Sequence, residues 1–116
     1  MKHKLTISTL LLLALVLVVA PTAVASTTWY VNGVSGSDDN NCKSPTTACK
    51  TIGHAISLAA SGDSIMVAAA TYSENLTIGI SLNMIGAGAS STIVDGGGVK
   101  QVVNISSTSA HVTLAD

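Results

Sequence analysis

From Ser64 to Asp116 the chain beats between short apolar runs and glycine- or serine-bearing breaks. The stretch "TIGISLNMIGAG", residues 77–88, shows the pattern: Ile78, Ile80, Leu82, Met84 and Ile85 are interrupted by Gly79, Gly86 and Gly88. Such runs predict short strands, each stopped before it grows long. The candidates are Ser64–Ala68, Leu76–Ile78, Ser81–Ile85, Thr92–Val94, Val102–Ile105 and Val112–Leu114. Upstream, "TWYV" (Thr28–Val31) is aromatic and β-branched and reads as a first strand. Asn32–Pro45 is dense in Gly, Ser, Asp and Asn and reads as a loop. Between loop and strands, Ile52, Ala55, Ile56 and Ala59 recur at helical spacing. They predict a one-faced helix of about ten residues. Gly62 stands where a left-handed C-terminal cap belongs. Gly53 inside this helix costs about 1 kcal/mol relative to Ala.

The spacing of the strands carries further information. Ile65-Met66-Val67 and Leu82-Asn83-Met84 lie 17 positions apart, and so do Leu76-Thr77-Ile78 and Ile93-Val94-Asp95. Two strand classes repeating with one offset predict a solenoid, in which each coil lays its strands over the coil before. Val112 lies 30 positions beyond Leu82, so the period is imperfect. Glycines supply the backbone angles that the corners of a coil require. Hairpin signals are nearly missing: Asn32-Gly33 is one, and no partner strand follows it closely. The expected class is all-β, with a single helix whose apolar face needs something to cover.

The N-terminus changes the picture. Lys2, His3 and Lys4 form a basic start, and Leu10–Ala20 is an unbroken apolar run of 11 residues. Ala23 and Ala25 place small residues at −3 and −1 of a cut before Ser26. This is the layout of a secretory signal peptide over residues 1–25. The run falls short of the roughly 20 residues a spanning helix needs, and Pro21 directly after it argues against a continuing helix. Membrane contact is expected only through this signal, with retention as an anchor the alternative. The domain is then 26–116, secreted or held at the cell surface. Its cations are Lys43, Lys50 and Lys100, against the acids Asp38, Asp39, Asp63, Glu74, Asp95 and Asp116, a formal charge of −3. With no Arg and no basic patch, nucleic acid is excluded as a partner. Phe is absent, so Ile, Val, Leu and Ala must fill the interior.

Export also bears on Cys42 and Cys49, the two cysteines of the chain. Outside the cell a disulfide between them persists. Closing so small a loop contributes roughly 2–3 kcal/mol by chain entropy. A metal site at the pair is not expected, because no His or second Cys pair accompanies it at zinc-ligand spacing.

Other candidates read as structural. Asp38, Asp39, Asn40 and Asn41 could offer oxygen ligands to calcium, but such residues also make a solvated turn. No Gly-x-Asp repeat supports a calcium array. "GAGASS" (Gly86–Ser91) half-matches the dinucleotide fingerprint, but Ser91 replaces the third glycine and a strand follows. His54 is expected on the exposed face of the helix, without a catalytic partner. Glu74 and Asp95 could be paired carboxylates for glycosidic chemistry. The reading preferred here is that Glu74 bonds neighbouring backbone amides and that Asp95 and Asp63 close turns.

From about Trp29 onward these residues resemble the opening of right-handed parallel β-helix proteins of the pectate-lyase-like superfamily. The resemblance rests on Thr51, Ile52, Ala55 and Ile56 in a T-I-x-x-A-I helix, and on Gly62, Asp63, Ile65 and Val67 in a G-D-x-I-x-V strand. It continues with Tyr72 and Glu74 in a Tyr-x-Glu, Leu82, Ile85, Gly86 and Gly88 in an L-x-x-I-G-x-G, and Thr92, Ile93, Asp95 and Gly96 in a T-I-x-D-G. Ala70 stands where the family often has Gly. The resemblance implies a right-handed parallel β-helix whose helix, through Ile52 and Ile56, caps the first coil. Family enzymes carry their catalytic residues on later coils, so no catalytic residue is expected here. The expected role is structural, adhesive or polysaccharide-binding, with polysaccharide or cell-envelope components and further coils as partners. The alternative is the start of a carbohydrate-active enzyme, a pectinesterase or polysaccharide lyase. The sequence stops at "HVTLAD", just as a strand begins, which suggests a partial reading frame.

Overall fold

A computed structural model describes residues 25–98 and 101–116. The expected leader and Ala23 lie outside the described residues; Ala25 and Ser26 are exposed and belong to no strand or helix. The described chain forms β1 (Thr28–Val31), a 3-10 turn (Pro45–Thr47), α1 (Ile52–Leu58) and β2 (Asp63–Val67). It continues through β3 (Ala70–Ser73), β4 (Leu76–Ile78), β5 (Leu82–Gly86), β6 (Thr92–Asp95), β7 (Val103–Ile105) and β8 (Val112–Ala115). No helix among the described residues is long and apolar enough to cross a membrane.

The strands form three sheets, β1-β2-β5-β8, β3-β6 and β4-β7. Every pairing between them is parallel. From β2 onward the chain visits the first, second and third sheet, then repeats that order and returns to the first. Parallel neighbours need a crossover between them. From β2 onward short strands of the other two sheets make that crossover; between β1 and β2 the loop, the 3-10 turn and α1 make it. Like side chains therefore stack on like: Trp29, Ile65, Met84 and Leu114 stand in one register row, and Asp63, Leu82 and Val112 in another. Tyr72 stands beside Val94, and Leu76 beside Val103. These rows build one largely apolar interior from aliphatic residues together with Trp29, Tyr72 and Met84. Burial fades along them, from Ile65 at 0% exposed and Met84 at 7% to Leu114 at 63%.

Several expectations need correction. Strand β2 does lie beside β5, but Ile65 pairs with Met84, 19 positions on, not 17. The shift of two keeps the same side chains inward, because strand faces alternate with period two. Residues 76–78 and 93–95, matched by the same 17-residue offset, fall in different sheets. Leu76 instead pairs with Val103, and Leu82 with Val112, 30 positions on. The spacing that looked like a broken period is thus a true register. Strand β3 was not foreseen. Its Thr71 and Ser73 face water while Tyr72 is buried, so it has a single apolar beat. Ala70 opens this strand in extended pairing with Thr92, so no turn falls on it.

The helix spans seven residues rather than ten. It stops because Ala59 turns extended and the Ala60 amide is claimed at 2.8 Å by the Asp63 carboxylate. Gly62 does adopt a positive φ of 94°, but in the turn into β2 rather than as the helix cap. Ile52 and Ala55 are fully buried and Ile56 packs half-buried against the core. The helix contacts β1, β2 and β4, so it lies against strands of two sheets.

The loop after β1 folds back on that strand. Tyr30 N donates to Cys42 O at 2.8 Å, Cys49 N donates to Tyr30 O at 2.9 Å, and Asn32 N donates to Cys49 O at 2.7 Å. Gly36 fits beneath this return: a Cβ there would fall on the backbone carbonyls of Cys49 and Asn32. Backbone cannot move aside as a side chain can. Gly36→Ala is therefore expected to destabilise the fold by about 1–3 kcal/mol, read from urea unfolding midpoints. An unchanged midpoint would show that the return is not tightly packed.

Candidate functional site

The polar chemistry of the described residues gathers around the helix and the disulfide loop. Sequence reasoning left these groups scattered. The fold joins them through the backbone they bind.

Glu74 reaches from the end of β3 to the start of α1, where its Oε2 accepts from Ile52 N at 2.9 Å and Oε1 from Gly53 N at 2.8 Å. The first amides of a helix have no partner inside it, and a carboxylate is a favourable one. Glu74 thus bonds backbone amides, but on a segment 21 and 22 residues upstream rather than the neighbouring ones expected. Asp95 lies beside it, its backbone carbonyl accepting from Glu74 N at 3.0 Å, but the two carboxylates are engaged separately: Asp95 Oδ1 accepts from Gly97 N at 2.9 Å and closes a turn. The Tyr72 hydroxyl donates to Ala68 O at 2.7 Å and accepts from Gly33 N at 3.1 Å. Burial pushes its pKa up, and the charge of Glu74 adds to this while the Gly33 bond opposes it.

Asp63 is the one buried acid of the described residues, 5% exposed. Its Oδ1 accepts from Thr27 N at 2.8 Å, and its Oδ2 from the Trp29 indole at 2.9 Å and from Ala60 N at 2.8 Å. Burial alone would raise its pKa; the Thr27, Trp29 and Ala60 bonds, with the charge of Lys43, bring it below the usual value. Lys43 itself lies 4.3 Å from the centre of the Trp29 ring. Asp63 was expected to close a turn, and it does so with Ala60. Its hold on Trp29, 34 residues upstream, was not legible.

Three of the four residues weighed as calcium ligands, Asp38, Asn40 and Asn41, bond the loop through their side chains. Asp38 Oδ1 accepts from Lys50 N at 2.9 Å and Thr51 N at 3.0 Å, and its Oδ2 from the Thr51 hydroxyl at 2.8 Å. Slight burial raises its pKa, but these bonds and the charge of His54 leave it lowered. Asn40 Nδ2 donates to Ala48 O at 2.9 Å, and Asn41 Oδ1 accepts from Lys43 N at 3.0 Å. Gly88, in the half-matched fingerprint, has a φ of 141° and receives the Ser91 and Thr92 amides at a corner.

Cys42 and Cys49 form a disulfide, with Cα atoms 5.0 Å apart. Both are fully buried. Cys42 has a φ of 61°, rare for a residue with a Cβ. His54 is not on the fully exposed face expected for it. It is half-buried, and a ring nitrogen lies within 4.8 Å of both sulfurs.

A second feature lies on the outer face of the largest sheet. Thr28, Ser64, Asn83 and Thr113 stand side by side across its four strands. Tyr30, Met66, Ile85 and Ala115 form the adjacent row. Both point away from the buried Trp29 and Ile65, since neighbours on a strand face opposite sides. A shallow cavity of about 260 Å³ lies over the second row, walled by Asn32 and Pro45.

No known protein family, curated protein or solved structure matches the chain. Function is therefore read from the sequence and the geometry.

Two measurements check the carboxylate network. Glu74→Ala leaves two helix amides without a partner and is expected to cost about 1–3 kcal/mol. Faster hydrogen exchange at Ile52 and Gly53 should accompany it; unchanged exchange would remove Glu74 from this role. Asp63 has a lowered folded pKa, so its contribution is present above the unfolded value of 3.8 and is lost as pH falls through the folded pKa. Comparing urea unfolding at pH 7 with pH 3, Asp63→Asn should be less stable than the parent at pH 7. It should also lose less on acidification, Asp38 supplying part of the remaining slope. Equal acid losses in the two proteins would contradict this account.

Proposed function

We propose that the chain forms the cap and successive coils of an exported right-handed parallel β-helix, with a structural or adhesive role in which the outer face of its largest sheet lies against polysaccharide. Support for the β-helix comes from the cyclic visiting of three parallel sheets and from the resemblance carried by Tyr72, Glu74, Gly62 and Asp63. Support for export comes from the disulfide, which needs an oxidising compartment, together with the leader pattern ending at Ala23 and Ala25.

The observation that carries the binding reading is the pair of outward rows. A sugar chain offers hydroxyls along its edges and apolar C–H faces. A row of hydroxyl and amide groups beside a row with Tyr30, Met66 and Ile85 complements both. Neighbouring strands lie about 4.8 Å apart, so each row repeats at a distance suited to an extended polymer. The acids Asp38, Asp63 and Glu74 are each engaged by backbone amides, which favours a binding role over hydrolysis or elimination in this chain.

Expression of the full chain in an exporting host tests both parts. Mass spectrometry of the exported product should give an N-terminus at Ser26. The product should co-sediment with insoluble cell-wall polysaccharide, and Tyr30→Ala should weaken that binding about fivefold or more, the effect of losing a contact worth over 1 kcal/mol. Undiminished binding by a folded Tyr30→Ala protein would move the site off this face. A product retained in the cytoplasm would overturn export.

A further inference from the structure

We propose that Cys42, Cys49 and His54 form a redox-gated site for a thiophilic divalent ion of the zinc class, closed while the disulfide stands and open once it is reduced. The ligand atoms of all three lie within 4.8 Å of one another. A tetrahedral zinc ion, with Zn–S of about 2.3 Å and Zn–N of about 2.0–2.1 Å, places its ligand atoms about 3.5–3.8 Å apart. Side-chain rotation that parts the two sulfurs brings the cluster to that geometry.

The backbone is held independently of the S–S bond. Cys42 N donates to Thr47 O at 2.9 Å and Cys42 O accepts from Tyr30 N at 2.8 Å. Cys49 N donates to Tyr30 O at 2.9 Å and Cys49 O accepts from Asn32 N at 2.7 Å. The loop is anchored again at its exit by Asp38, which holds Lys50 N and Thr51 N. His54 sits in the first turn of α1, its own amide donating to Thr51 Oγ1 at 3.3 Å. Breaking the bridge therefore leaves both sulfurs beside an imidazole already in place. The electrostatics suit buried sulfurs. Two thiolates, a neutral imidazole and a divalent ion sum to zero charge, whereas two bare thiolates in this fully buried position are penalised. Half-buried His54 supplies the approach, and a fourth position remains for water.

The gating step balances simply. A dithiol gives two electrons and two protons to the disulfide and is itself oxidised to a disulfide. The two thiol protons then pass to solvent as the ion binds the thiolates. The site was not visible in sequence because Cys42-x6-Cys49-x4-His54 is not a zinc-finger spacing.

The full chain is reduced with a water-soluble phosphine, which becomes the phosphine oxide by taking oxygen from water, and titrated with Co²⁺ as a spectroscopic probe. One Co²⁺ per reduced chain is expected, with a thiolate charge-transfer band and tetrahedral d–d bands that Zn²⁺ then abolishes. The oxidised chain should show neither band. His54→Ala should weaken Co²⁺ binding at least about tenfold, as loss of groups supporting a metal commonly does. It should also alter the d–d bands. Should reduction loosen the loop, Zn²⁺ should raise the melting temperature of the reduced parent but not of reduced His54→Ala. The absence of a charge-transfer band, equal binding by the oxidised chain, or the same affinity and spectrum in His54→Ala would overturn the site.

Discussion

The fold turns on the three hydrogen bonds of the Asp63 carboxylate. It is buried at the point where β1, the segment after α1 and the start of β2 converge. Its acceptors collect a strand-entry amide, the Trp29 indole and the amide that would otherwise extend the helix. A buried charge is tolerable only when such donors surround it. Once it is in place, it sets the helix end, orients the largest side chain of the interior and starts the first parallel row. Asp38 and Glu74 extend the same solution to the helix entry. Parallel strands pair with rows above and below, so the first row and the helix that covers it must find partners elsewhere. Carboxylates supply them.

This constraint also shapes what the surface can do. Of the acids that would be read as catalytic or calcium-binding from type alone, Asp38, Glu74 and Asp95 are occupied by the chain's own amides. The outward rows of the largest sheet remain open, and their polar and apolar lines follow directly from strand alternation in fixed register. The disulfide loop is bound to β1 on both sides of the bridge. His54 comes beside it because Asp38 and Glu74 together fix where α1 begins.

Much of the element order was legible. Strands β1 and β4 appear where their apolar beats placed them, and the others except β3 differ by a residue at one or both ends. The failures have physical causes. Strand β3 has one inward residue, Tyr72, and no alternation to detect. The helix was overextended because side-chain periodicity does not register an amide captured by Asp63. The constant 17-residue offset failed because crossovers of unequal length can join the same sheets. Register is set by which side chains stack, as in Trp29 on Ile65 and Met84, rather than by counting residues. Among candidate sites, the cysteine pairing and the structural role of Glu74 were readable; the Asp63–Trp29 bond and the approach of His54 to the sulfurs were not.

The sequence by itself determined the strand-rich character, the one-faced helix and the short element lengths, because these follow from local periodicity and from where glycine interrupts it. Tertiary structure alone decided which strands share a sheet, in what register, and which distant amides each carboxylate binds. Those choices join residues 12 or more positions apart. Their free energy comes from burying side chains and backbone donors together, and no local pattern along the chain encodes that.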